Sequence, residues 1–451
     1  MDYLTHLNEN RWTLVKHING KGLEISNNTF TVLPRAIKLV TDDTPVTGDH
    51  LRFKVADLHN PIEIEDESLD FVFVTGERAR SFTHYKSKLR VGGRLLLHVL
   101  DGDEWNFEIY HKSITGLDRY VEPVLPEKNV MVIRYGAIGD LFQAASVCVA
   151  LKKQGYHVTI LAQGTASTVL QGNPYLDTII ATDKDIVRNS ELRMYWDWLE
   201  TQYHKVVNLC GSVEDALLPN HTRPQFYWPA KMRNKYLNVN YVKFQHELAE
   251  VPYKLEVKFY PTAEEIAWAD EERAKMSGKK LICWALNGSS LHKVMPHADE
   301  YFARVMLMLP NVDVITLGGD DAVFLEQGWE EEPRIHRRSG KWSIRQSLTF
   351  IQRHADLLVG PETGLLNAMC CEKLQKILFL SHSTKQNLSE DWTNTISMSV
   401  PMKDREDCIH RLFQNDQGWK YLKRDEETGT AVCAAKIDRT ALWNHTVQVM
   451  K

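Results

Sequence analysis

Apolar and polar positions along the chain follow two alternating periods. Continuous apolar runs of five to seven residues recur: "LDFVFVT" (Leu69–Thr75), "VMVIR", "HVTILA", "LICWA", "VDVITL", "DLLVG" and "KILFL". Such runs read as strands covered on both faces, as in parallel sheets. Strands are predicted at 130–134, 157–162, 178–180 and 205–209, and again from "KKLICWALNGSS" onward. Between them, apolar residues recur every three or four positions, which predicts helices around 301–309, Ile344–His354 and 364–371. "PTAEEIAWADEERAKM", from Pro261, reads as an amphipathic helix whose acidic first turns suit the helix dipole. "IDRTALWNHTVQVMK" reads as a closing helix. Alternating strands and helices predict an α/β protein with parallel sheets joined by right-handed crossovers.

The pattern falls into blocks. Residues 1–112 form a first α/β block, with a short strand in "GKGLEIS" and a Gly-Gly turn feeding a strand in "RVGGRLLLHVL". Residues 113–128, with two prolines and no period, read as a linker. A second block spans 129–256; its later part, 211–256, is rich in Tyr, Trp, Asn and Pro and reads as irregular. A third runs over 257–451 and ends in the closing helix. The 451 residues suit this division, since a domain takes about 150.

Composition narrows the class. An apolar share of 43% and a charged share of 25% belong to an ordinary globular chain. No apolar run is long enough to span a bilayer, and "MDYLTHLNENRW" lacks the features of a secretory signal. Seven cysteines without a CxxC pair suit a reducing compartment, so the expected location is the cytoplasm. Cys408, His410 and Cys433 fit no zinc spacing, and no metal site is expected. The net charge of −5 argues against a broadly basic surface for nucleic acid. It leaves room for one local basic face, "RIHRRSGKWSIR", normally a solvated surface but also suited to an anionic acceptor.

Parallel sheets bind ligands beyond the carboxyl ends of their strands. Three polar groups lie there. "RYGAIGD" follows the strand ending at Arg134; Gly136 and Gly139 permit close backbone approach, and Asp140 sets a carboxylate at the helix mouth. Taken alone, Asp140 reads as a first-turn acid worth a fraction of a kcal/mol; facing a cleft, it suits a general base or a hydroxyl-binding group. "LNGSSLHKVMPHADEYF" offers Ser289, Ser290 and Lys293, either a polar loop or a phosphate contact. "VGPETGLLNAMC" offers Thr363 and Gly364 at a helix start, either a plain helix cap or a diphosphate site.

In this order, the three groups resemble those of glycosyltransferase family 9, the bacterial heptosyltransferases. The resemblance runs from about Asn129 to the C-terminus. It includes "LQGNPYLDTII", "NGSSLHKVMPHADEYFARVM" with Met295 where Trp is usual, "ITLGGDDA" and "LTFIQRHADLLVGPETGLLNAMC". It implies two facing Rossmann-like domains of the GT-B type and inverting transfer from a nucleotide-sugar to a hydroxyl on a glycan or glycolipid. No cofactor or metal is implied. Asp140 becomes the base; Lys293, Thr363 and Gly364 hold the diphosphate; Asp320 or Asp321 contacts the ribose. Glu362 stands where Asp is usual, and Asn367 where His is usual, both beside the donor.

Residues 1–110 resemble the later motifs of a class I S-adenosylmethionine-dependent methyltransferase, in "FKVADLHNPIEIEDESLDFVFVTGERA" and "KLRVGGRLLLHVL". The cofactor loop departs from it: "GLEISNNTF" has Ser26 and Asn27 where glycines are expected. A small, truncated, degenerate methyltransferase-like domain that does not bind S-adenosylmethionine is therefore expected ahead of the GT-B pair. Two other functions compete with glycan transfer. One is transfer to a modified base in DNA, permitted by the basic run and the aromatic segment "QFYWPAKMRNKYLNVNY" and weakened by the acidic net charge. The other is a non-catalytic binding or assembly protein.

Overall fold

A computed structural model of the chain describes residues 11–18, 22–25, 36–39, 68–75, 87–101, 104–114, 117–121, 124–182, 187, 191–210, 212–213, 218–219, 228–229, 232, 235–236, 239–381, 383–401 and 424–451. Mixed α/β structure with parallel sheets runs through it. The chain divides into two compact units. One holds Met1–Met131, Thr159–Thr165 and Ile180–Val206; the other holds Val132–Val158, Ala166–Ile179 and Val207–Lys451.

Within the first unit lie β1 (Gly22–Ile25), β2 (Ala36–Leu39), β3 (Leu69–Thr75), β4 (Leu89–Asp101), β5 (Glu104–Lys112) and β6 (Leu117–Arg119). They form one sheet in the order β2-β1-β3-β4-β5-β6. The first four strands pair in parallel, and β5 and β6 add antiparallel. Leu23, Val72, Val74, Leu95 and Leu97 fill its core. Where the sequence reads a Gly-Gly turn, β4 continues instead: its register against β3 jumps between Leu69↔Leu89 and Phe71↔Arg94. A Cβ on Gly93 would lie 2.9 Å from the Arg90 carbonyl and 3.0 Å from that of Asp70, so the crowded backbone of this irregularity requires glycine. Strand β6 falls inside the stretch read as a linker.

The next sheet has the order β10-β7-β8-β9, from β7 (Asn129–Arg134), β8 (His157–Gln163), β9 (Thr178–Thr182) and β10 (Lys205–Asn208). Helix α1 (Ile138–Lys153) follows β7, and α2 (Leu192–Gln202) precedes β10. Two short strands, β11 (Ser212–Val213) and β12 (Leu218–Pro219), pair antiparallel. Helix α3 (Tyr241–Ala249) lies in the stretch read as irregular. Asn240 caps it, its side-chain oxygen accepting from the amides of Val242 and Lys243 at 3.0 Å each. Gln245 and His246 share its buried face, which blurred the apolar period that would have revealed it.

After α4 (Ala263–Ala274) the second unit builds a six-stranded sheet from β13 (Lys280–Ala285), β14 (Val312–Leu317), β15 (Ile335–Arg337), β16 (Leu357–Pro361), β17 (Gln375–Phe379) and β18 (Thr395–Met398). All pairings are parallel, in the order β15-β14-β13-β16-β17-β18. Helices α5 (Ala298–Met308), α6 (Ile344–His354), α7 (Gly364–Ala368) and α8 (Arg439–Met450) complete it. Trp284 anchors the core, its ring 4.4 Å from that of Tyr301 and 5.3 Å from that of Phe302. The edge strands β15 and β18 carry partly exposed polar residues and so lack the apolar run that marks the central strands. The strand order reverses between β13 and β16: the chain moves out to β14 and β15, then returns to the other side of β13. A crevice at the carboxyl ends of β13 and β16 is where such a sheet receives a ligand.

Candidate active site

All residues of the candidate site belong to the second unit. Strand β7 is buried along its length and ends at Arg134. The turn that follows depends on Gly136, whose φ of 138° disfavours any side chain and whose Cβ would lie 2.7 Å from Asp140 Oδ2. Asp140 is the third residue of α1. Its Oδ2 accepts from the Ala137 amide at 2.9 Å, and its Oδ1 accepts from Arg134 Nη2 at 2.6 Å. The Arg134 side chain is only 8% exposed, that of Asp140 32%. A buried guanidinium therefore orients a carboxylate that stays open to solvent. Its geometry suits receiving a proton from a hydroxyl.

The second group lies at the switch point between β13 and β16. A Cβ on Gly288 would meet Lys293 Cδ at 2.6 Å and Thr363 Cγ2 at 3.1 Å. Lys293 and Thr363 thus flank one glycine, although 70 positions separate them in the chain (363 minus 293). Thr363 occupies the helix-cap position of α7 yet makes no capping bond. Its hydroxyl is buried and has no partner among the described residues. No ion pair or hydrogen bond of the Lys293 ammonium occurs among the described residues either; its backbone amide donates to the Ser290 carbonyl at 2.9 Å. Ser289 is exposed, and the Ser290 hydroxyl lies 3.2 Å from His292 Nε2. A cation and an unsatisfied hydroxyl over a glycine suit an anionic oxygen.

Asp321 lies beside this spot, accepting from Asn287 Nδ2 at 3.0 Å. Asp320 approaches Gly340 instead, its Oδ1 2.5 Å from where a Cβ on Gly340 would be. Both aspartates are exposed. Glu362 is 5% exposed, and its Oε1 accepts from the Ser381 amide at 2.6 Å, the Ser381 hydroxyl at 2.7 Å and the Ser383 amide at 3.4 Å. That oxygen braces the loop after β17. Asn367, also buried, donates from Nδ2 to the Thr363 carbonyl at 2.8 Å and accepts from Gln143 Nε2 at 3.1 Å.

The two groups adjoin. A Cβ on Gly364 would lie 2.6 Å from Ile138 Cγ2 and 3.5 Å from the Gly139 amide nitrogen, so α1 and α7 meet without room for a methyl group. Arg134, Gln143 and Gly288 have no place in the sequence reading. The spacing of Arg134, six residues before Asp140, is its only sequence signal; nothing local marks Gln143.

The basic run is largely spent inside the fold. Arg345 is buried and bidentate to Glu265, at 2.6 and 2.7 Å, and also donates to the carbonyls of Thr168, Gln171 and Tyr260. This ion pair holds the Glu265 carboxyl below its ordinary range. Arg337 pairs with Glu330 at 2.8 Å, and Arg334 donates to the carbonyls of Leu309 and Met306. Most of 225–241, Ser26 and Asn27, Cys408 and His410 lie outside the described residues. No group of three or more His, Cys, Asp or Glu among the described residues is placed to hold a metal ion. Cys371 has a lowered pKa: a hydrogen bond with Cys370, 3.8 Å away, brings it to about 7, against the opposing effect of burial.

No protein-family model matches the chain. A comparison with curated proteins finds no match. Solved structures do match. ADP-heptose LPS heptosyltransferase II of E. coli is 14% identical, over 71% of this chain and 98% of its own, with a TM-score of 0.51. A glycosyl transferase family 9 protein of Veillonella parvula is 14% identical, over 66% of this chain and 96% of its own, with a TM-score of 0.49. The heptosyltransferase II likeness establishes a shared α/β fold over most of the chain. Neither of these two structures bears on the methyltransferase resemblance of residues 1–110.

Proposed function

We propose that the protein is an inverting glycosyltransferase that moves a sugar from a nucleotide-sugar to an acceptor hydroxyl, on a glycan or glycolipid, in the cytoplasm. The observation that carries this reading is the Lys293 ammonium and the buried Thr363 hydroxyl, both without a partner among the described residues, flanking Gly288 at the switch point of a parallel sheet. A diphosphate supplies what both groups lack. Asp140 lies on the helix packed against the Thr363 turn, and its carboxylate is solvent-open. It takes the acceptor proton as the acceptor oxygen bonds to the anomeric carbon and the bond to the diphosphate breaks. Lys293 strengthens its hold as charge builds on the leaving oxygen, and backbone amides near Thr363 assist. Attack by an external hydroxyl opposite the leaving group inverts the anomeric centre. In this reading Asp320 or Asp321 contacts the ribose of the nucleotide; Asp321 accepts from Asn287 Nδ2, next to Gly288.

In the same reading the domains divide as 1–112, a linker at 113–128, 129–256 and 257–451, with the first block a degenerate methyltransferase-like module that does not bind S-adenosylmethionine. ADP-heptose, the donor named for the E. coli neighbour, is the first compound to try. The test is a thermal-shift and calorimetric screen of nucleotide-sugars, followed by assay of released nucleoside diphosphate with glycolipid acceptors. A donor at 100 times its Kd should stabilise the fold by about 2.7 kcal/mol. Donor binding that is undiminished in Lys293→Ala would overturn the site, and absence of binding across the screen would overturn the function.

A further inference from the structure

We infer that the amide pair Gln143–Asn367 is a positioning device that sets the separation between the Asp140 carboxylate and the Thr363 turn. The inference rests on the glycosyl-transfer reading above and deepens it. Gln143 follows Asp140 by three residues on α1, so the two share a helix face. Asn367 follows Thr363 by four on the opposing element. Both amides are buried, at 8% and 7% exposure. Asn367 donates from Nδ2 to the Thr363 carbonyl at 2.8 Å, which leaves its Oδ1 to accept from Gln143 Nε2 at 3.1 Å. The contact therefore has one polarity and one length. The backbones around it allow no slack: a Cβ on Gly139 would come within 3.0 Å of Asn367 Nδ2, and one on Gly364 within 2.6 Å of Ile138 Cγ2.

The consequence concerns the reaction rather than the fold alone. Asp140 and Thr363 come from segments more than 200 positions apart (363 minus 140), and each is held firmly to its own helix. The most direct link between the carboxylate and the turn is the set of contacts between α1 and α7. Apolar packing between Ile138 and Gly364 sets how closely the helices approach, but it is non-directional. A directional, buried amide bond resists sliding. Neither Gln143 nor Asn367 touches the reacting atoms in this scheme; each acts through a neighbour.

The experiment compares Gln143→Leu, Asn367→Leu and the exchanged pair Gln143→Asn with Asn367→Gln, which keeps the summed side-chain length. Transfer from a nucleotide-sugar that binds the wild type is followed as kcat and as donor KM, with thermal melts on the same preparations. The expected result for Gln143→Leu is a kcat lower by roughly 10- to 100-fold, with donor KM within about threefold, because misplacing a reacting group harms the chemical step more than binding. The exchanged pair should recover part of kcat. An unchanged kcat in Gln143→Leu, or one that falls only in proportion to the folded fraction, overturns the inference. So does an exchanged pair that regains the wild-type melt but not kcat. A wild-type chain that transfers from no nucleotide-sugar overturns the underlying reading and this inference with it.

Discussion

Two strand-to-helix turns in the second unit begin alike and end differently. After β7 and after β16, fully buried strands stop, an acidic residue follows, and a helix opens. In the first turn the acid is Asp140, a third exposed and held by one guanidinium and one amide. In the second it is Glu362, whose Oε1 alone accepts three hydrogen bonds from Ser381 and Ser383. Position explains the difference. Asp140 is already inside its helix and reaches back over the helix mouth. Glu362 precedes its helix, and its longer side chain reaches sideways to the end of the neighbouring strand β17. A carboxylate after a parallel strand is thus a candidate for chemistry only once its partners are known. The second turn keeps its ligand capacity in Thr363 rather than in its acid.

The largest effect expected from this contrast is on catalysis. Asp140→Asn should retain nucleotide-sugar binding and lose about 100-fold or more of kcat, the range for removing a general base. Measured beside it, Glu362→Gln should leave kcat within a few-fold. Equal losses in the two variants would erase the distinction between the turns.

Stability should respond in the opposite sense. Glu362→Ala removes two buried, charge-assisted hydrogen bonds, from the Ser381 amide and hydroxyl, which should cost about 3 kcal/mol. Asp140→Ala, at a half-buried first-turn position, should cost about 1 kcal/mol, part of it from removing one partner of the buried Arg134. Chemical denaturation of both variants decides the matter; a smaller loss for Glu362→Ala than for Asp140→Ala would refute the account of the second turn.

The contrast also shows what a sequence carries. The central strands were legible because burial on both faces writes a continuous apolar run, and β3 and α6 appear at the bounds read from the pattern. Parallel topology then told where ligands should lie, and Lys293 and Thr363 do meet at a strand-order reversal. The role of Glu362 was not legible, because its partners come from the loop after the next strand. Nor was that of Asn367, whose partner Gln143 lies 224 positions away. The sequence reading placed both beside the donor by resemblance; the structure places Glu362 Oε1 on a loop and the Asn367 amide between helices. Periodicity reports burial, and it is silent on which polar atoms find each other.

A third variant probes the meeting of the turns. Gly364→Ala puts a methyl group 2.6 Å from Ile138 Cγ2, and overpacking of this kind should cost about 2 kcal/mol. Adding Ile138→Ala makes room, so the double variant should be more stable than the sum of the two single changes implies. Strict additivity in denaturation would mean that the helices separate freely and that the closeness of the two turns is not enforced by packing.

The smallest effect tests whether the second turn is built for a ligand. An unsatisfied buried hydroxyl is a cost to the unliganded fold, because folding removes its water without replacing the hydrogen bond. Thr363 has such a hydroxyl, while its methyl group packs near Gly288. Valine keeps the shape and deletes the polar atom. Thr363→Val should therefore leave the unliganded protein as stable as wild type, or up to about 1 kcal/mol more stable. The same change should reduce the stabilisation that a saturating nucleotide-sugar gives, since the ligand loses a donor. Melting curves with and without donor read both quantities on one sample. If Thr363→Val destabilises the unliganded protein by more than about 1 kcal/mol, the hydroxyl is an ordinary structural partner. The ligand-binding case for this turn would then rest on Lys293 alone.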